Sequence, residues 1–158
     1  MKKSKCSEIL YFLAFFLFGF ANIVITNSFL FGTSEYRHEI SNYFYYIAAA
    51  LFILSFIQLR IRPAVMIKRV VLCAVALLVT AKIHLIGFGV SILAVIAAYR
   101  IDFRKIVKWC IYTNLFYLYI VILSTFLGLV PDDTYEHYGR TAHCLGFVYY
   151  SNVPFMVL

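Results

Sequence analysis

The densest gathering of chemically capable side chains follows Pro131: Asp132, Asp133, Glu136, His137, Arg140, His143 and, further on, Asn152. Arg140 offers a planar, permanently charged fork of donors suited to a phosphate or diphosphate. His143 can activate or position a hydroxyl near neutral pH. Asn152 can orient sugar hydroxyls or cap a helix broken before Pro154. A plainer reading stands beside this one, in which Arg140 anchors at lipid headgroups, Gly146 eases packing and Pro154 bends a helix. Two groups also have ligand-like spacing: Glu35, His38 and Glu39 one helical turn apart, and Asp132, Asp133, Glu136 and His137. Neither brings a supporting third-ligand pattern, so solvated loop polarity accounts for both, and no metal or other cofactor is expected.

The elements that must hold these residues are membrane helices. With 64% hydrophobic and 13% charged residues, the chain cannot supply both the surface and the core of a soluble domain. Charges are absent from Ile9 to Ser34, which gives a first span from about Ile9 to Phe31. Its apolar stretch exceeds that of a secretory signal and no small-x-small cleavage site follows, so it reads as a retained anchor. A polar loop, Gly32 to Ser41, leads to a second run from Asn42 to Leu59, opened by the interfacial aromatics Tyr43, Phe44, Tyr45 and Tyr46. Residues 70–99 suit one long span by length, but that would put one of two basic flanks outside. Two short spans, about Ala64 to Ala81 and Leu85 to Tyr99, keep both inside, with Lys82-Ile83-His84 as an outer turn and Lys68 and Arg69 snorkelling. A re-entrant hairpin satisfies the same charges. The run from about Val107 to Val130 returns outward.

This predicts an all-α, polytopic helix bundle of about five transmembrane helices, a single transmembrane domain over residues 1–158, in the plasma membrane with its N-terminus cytoplasmic. Inside fall Lys2, Lys3, Lys5, Arg60, Arg62, Lys68, Arg69, Arg100, Arg104, Lys105 and Lys108; outside fall Arg37, Lys82 and Arg140. Eleven against three is the positive-inside bias. The same placement explains the net charge of +7 without a nucleic-acid partner, since the basic residues sit at the ends of apolar runs and form no groove-reading face. Only 14 residues follow Cys144, short of the roughly 20 that a span needs, so a truncated sixth helix in the N-terminal part of a larger protein is expected.

Other motifs carry less. Cys6, Cys73, Cys110 and Cys144 form no disulfide framework, and Cys144 reads as a small apolar residue at a helix start. Gly87-Phe88-Gly89 lacks the Gly and Lys of a phosphate loop and suits helix packing or bending. Lys82 and His84 either line a substrate path or reach the outer interface.

The string Arg140-x-x-His143-x-Leu145-Gly146-Phe147-x-Tyr149-x-x-Asn152, placed after about five hydrophobic runs, resembles the Arg, Leu-Gly-Phe and Asn pattern of bacterial oligosaccharide repeat-unit polymerases of capsule, exopolysaccharide and O-antigen pathways. The resemblance implies a glycosyltransferase-type membrane enzyme acting at the outer face on undecaprenyl-diphosphate-linked oligosaccharide. In it Arg140 would bind the diphosphate and stabilise its departure, and Gly146 and Asn152 would contact substrate; local chemistry adds His143 to activate or position the acceptor, and the hairpin reading adds Lys82 as a substrate contact. Such enzymes have roughly twice as many spans, so the 158-residue chain is expected to be inactive alone. Two rival functions remain: a small non-catalytic membrane protein assisting other polysaccharide-assembly or transport proteins, and a transporter or flippase component using Thr26, Asn27, Thr80, Lys82 and Asn114.

Overall fold

The computed structural model describes residues 5–31, 34–57, 63–83, 86–99, 101–131, 134–137 and 140–147. Helices dominate them: α1 (Lys5–Gly19), α2 (Ser34–Ile57), α3 (Pro63–Ile83), α4 (Ile86–Ala97) and α5 (Phe103–Phe126), with one antiparallel hairpin of β1 (Thr134–His137) and β2 (Arg140–His143). The all-α expectation holds, and three stretches, Lys5–Thr26, Tyr36–Ile57 and Phe103–Phe126, are long and apolar enough to cross a membrane. His84, Asn152, Pro154, Asp132, Asp133, Arg60, Arg62 and Arg100 lie outside the described residues.

Residue contacts divide the chain into two compact units, one of residues 1–18 and 42–106, the other of residues 19–41 and 107–158. In the first, α1 and α2 run antiparallel, because their contacts pair falling with rising numbers: Ser7 with Ser55, Tyr11 with Phe52 at 5.4 Å between ring centroids, and Phe18 with Tyr45 at 5.8 Å. The serine pair is reciprocal. Ser7 Oγ donates to Ser55 O at 2.5 Å and Ser55 Oγ to Ser7 O at 2.7 Å, with both residues fully buried. Small residues with hydroxyls let two helix backbones approach where apolar solvent gives no hydrophobic drive.

The break expected between two short helices in residues 70–99 is present, since α3 ends at Ile83 and α4 begins at Ile86. The 12 residues of α4 reach only about 18 Å, less than the roughly 30 Å of a bilayer core. The two helices pack on each other, and a Cβ built at Gly89 would collide with Thr80, so glycine permits the approach. Gly87-Phe88-Gly89 is therefore a packing element, and Gly87 faces the Tyr45 ring. Arg69 does more than snorkel. Its Nη1 donates to Ile96 O at 3.0 Å and its guanidinium lies 3.7 Å over the centroid of the Tyr99 ring. A cation thus sits on the negative C-terminal end of α4.

The second unit departs further from expectation. The first apolar stretch leaves α-helical geometry at Phe20 and continues as a π-helical segment to Thr26, ending five residues before Phe31. Side chains follow the wider turn: Thr26 Oγ1 donates to Ala21 O at 2.8 Å and Asn27 Nδ2 to Asn22 O at 2.7 Å, each five residues back. Gly19 gives room for Tyr117 of α5, whose ring also lies 6.0 Å from that of Phe20. The expected loop from Gly32 to Ser41 is mostly helix, because α2 begins at Ser34. Ser41 Oγ donates to His38 O, and Arg37 turns inward, where its Nη1 donates to Ser28 O. The last long run begins at Phe103 instead of Val107, since Asp102 Oδ1 accepts from Arg104 N at 3.0 Å and caps α5.

Candidate functional site

The segment singled out by its chemistry is built onto the end of α5. That helix stops at Gly128 with a φ of +71°, while Leu129 N bonds Ser124 O at 3.0 Å and Gly128 N bonds Thr125 O at 2.9 Å. This paired closure satisfies orphan carbonyls and needs a residue free to adopt positive φ. After Pro131 the chain enters the β1–β2 hairpin, in which Thr134 pairs with His143, Glu136 with Thr141 and His137 with Arg140.

Residues 140–143 are thus a strand, where an outer loop leading to a helix start at Cys144 was expected. His143 is exposed. Cys144 does not start a helix; it is buried at the first position of a tight turn closed by Phe147 N donating to Cys144 O at 2.9 Å. Both central residues of the turn have positive φ, Leu145 at +49° and Gly146 at +81°.

Gly146 is the pivot. A Cβ there would strike Thr125 Oγ1 and come within 3.2 Å of Val121 Cγ1 and 3.3 Å of Val130 Cγ1. Its carbonyl accepts from Phe29 N at 2.9 Å, and Phe147, fully buried, forms an isolated antiparallel bridge with Ser28. The Leu-Gly-Phe string therefore clamps the turn to the stretch that follows the π-helical segment. Of the other anticipated residues, Lys82 is exposed on the last turn of α3, in the other unit, and Asn152 lies outside the described residues. Cys110 lies within 3.8 Å of Asn114 Nδ2, one turn on along α5. Among the described residues, no three His, Cys, Asp or Glu side chains gather as metal ligands.

One residue of this unit escaped sequence reasoning, which treated it only as an outer charge. Arg37 is 9% exposed, its Nη1 donates to Ser28 O at 3.0 Å, and its guanidinium lies 5.3 Å from the centroid of the Phe29 ring. The signal was available: Glu39 stands two residues on, spacing that on a helix turns it off the face of Arg37.

The architecture defines the chain's class as an all-α helix bundle with helices of membrane-crossing length. No family model, curated protein or solved structure matches it.

Proposed function

We propose that this chain is a multi-pass plasma-membrane protein that binds undecaprenyl-diphosphate-linked oligosaccharide at the outer face, as part of a repeat-unit polymerase of the kind it resembles. The observation that carries the reading is the departure of residues 134–137 and 140–147 from helical geometry. What supports it is a hairpin followed by a turn bonded to Phe29, which carry the Arg140 and His143 backbone beyond the end of α5. Extended backbone of this kind suits a segment outside the hydrocarbon region, where water or polar ligands can meet its open hydrogen-bonding groups. Arg140 supplies the permanent charge that a departing lipid diphosphate requires. His143 orients or deprotonates the attacking sugar hydroxyl, Asn152 orients sugar, and Gly146 holds the turn. The basic flanks keep the N-terminus and the start of α5 cytoplasmic, which leaves residues 131–147 outside.

The test is binding of a defined undecaprenyl-diphosphate-linked repeat unit to the chain in nanodiscs, with chain extension measured alongside. Saturable binding that Arg140→Ala weakens about tenfold supports the reading; equal binding by that variant, or none by the parent, removes it. Chain extension by the 158 residues alone would overturn the expectation that they are inactive.

A second reading draws on α3, whose Ile67, Val71, Leu72 and Leu78 are exposed on several sides of the helix. A non-catalytic helper that docks through such a helix predicts that Arg140, His143 and Asn152 tolerate alanine in the cell.

A further inference from the structure

Arg37 is a permanent cation shielded from water, and among the described residues its Nε–H has no acceptor. Its partners there are the carbonyl of Ser28 and the face of Phe29, neither of which carries a full negative charge. The ion pair among the described residues joins Lys105 to Glu8, in the other unit. A buried guanidinium stays charged, so its environment must supply an anion or accept a large desolvation cost.

The surroundings are built to hold that cation still. Ser28 Oγ donates to Val24 O and accepts from Leu30 N at 3.3 Å, while Phe29 N is held by Gly146 O at 2.9 Å. Arg37 is also the fourth residue of the 24-residue α2, so the unpaired N–H groups and positive dipole end of that helix lie beside it. The start of α2 carries Glu35, Arg37, His38 and Glu39 and is followed by a charge-free apolar run, which sets Arg37 at the boundary between polar and apolar sequence. Phosphate is the anion a bilayer presents at that depth, and the Nε edge of a guanidinium takes two oxygens of one phosphate.

We propose that Arg37, the first turn of α2 and the segment Ser28–Leu30 form a binding site for a phosphate group at the membrane boundary, carried by a lipid headgroup or free. The assignment stands apart from the polymerase reading, since it rests on Arg37 and uses none of Arg140, His143 or Asn152.

The chain is purified in dodecyl maltoside without phosphate and labelled with nitrogen-15. Inorganic phosphate, phosphatidylglycerol and undecaprenyl phosphate are titrated while the arginine Nε–H resonances are followed, with Arg37→Lys assigning the Arg37 signal. A saturable shift of that signal is expected, together with binding about tenfold weaker in Arg37→Lys, which keeps the charge and loses the fork. A response to the two lipids alone identifies a lipid-borne phosphate; an equal response to inorganic phosphate identifies the free ion. Where Arg37→Lys fails to fold, proximity of the Nε–H to the Phe29 ring in the parent assigns the signal. No shift with any of the three probes, or equal affinity in a folded Arg37→Lys, overturns the site.

Discussion

Two glycines with positive φ give a controlled comparison of what the Leu-Gly-Phe turn contributes. Gly128 has φ +71° and nothing within 4 Å of a built Cβ, whereas Gly146 has φ +81° and three side chains in the way. In Gly128→Ala the whole cost is conformational, about 1 to 2 kcal/mol for an L residue forced left-handed. Gly146→Ala incurs the same strain and must also push Thr125, Val121 and Val130 apart, which adds about 1 to 3 kcal/mol of overpacking. The expected losses are thus about 1 to 2 kcal/mol against about 2 to 5 kcal/mol.

The chain holds a single tryptophan, Trp109 in α5, so its fluorescence and the helical circular dichroism both follow unfolding as dodecyl sulfate is added to dodecyl maltoside micelles. A second change tests the cause. Thr125→Ala removes the hydroxyl closest to the added methyl, so Gly146→Ala should cost less in that background, while Gly128→Ala should cost the same in both. If Gly146→Ala proves no more harmful than Gly128→Ala, or if Thr125→Ala brings no relief, the close packing of this turn against α5 is refuted.

The Ser7 and Ser55 pair should show coupling of about 1 kcal/mol in a double-mutant cycle of alanine substitutions, since each hydroxyl bonds the other helix's carbonyl; additive losses would refute the reciprocal arrangement. Removing the guanidinium in Arg69→Ala should cost about 1 to 3 kcal/mol and speed amide exchange over residues 94–99. Arg69→Lys should restore little, because an ammonium cannot both stack on Tyr99 and reach Ile96 O.

Sequence reasoning succeeded where local composition and charge decide the structure. Two short helices were expected from basic flanks that a single long helix would place on opposite sides, and α3 and α4 do fold back on each other, Thr80 against Gly89 and Arg69 on Ile96 O. It failed where a partner distant in sequence decides. The start of α2 was placed at Asn42 because Arg37 and Ser41 look like loop residues; in fact Arg37 reaches back to Ser28 O, nine residues earlier, and Ser41 bonds within its own helix. Residues 140–143 were read as the approach to a helix, since apolar and small residues follow them, yet the pairing with residues 134–137 that makes them a strand has no period that apolar spacing reveals. Gly146 was considered for packing and for substrate contact, and only the backbone shows the positive φ it adopts. Arg69 was read as a snorkelling cation because its acceptor, Ile96 O, lies 27 residues away.

A single exchange of backbone groups links the least regular parts of the second unit. Past Thr26 the chain has left helical geometry and must find acceptors for its amides, a demand that grows with distance from water. Phe29 N finds Gly146 O, and the bridge between Ser28 and Phe147 orders the flanking residues. The carbonyl of Ser28, which Arg37 also uses, is therefore fixed by contacts that originate more than a hundred residues away. A substitution that loosens the turn at residues 144–147 should loosen the setting of Arg37 as well. In Gly146→Ala the Arg37 Nε–H should exchange faster with solvent, whereas in Gly128→Ala, which leaves the turn's contacts intact, it should keep its protection. Equal exchange in the two variants would mean that Arg37 is held by α2 alone and that the turn and the cation are independent.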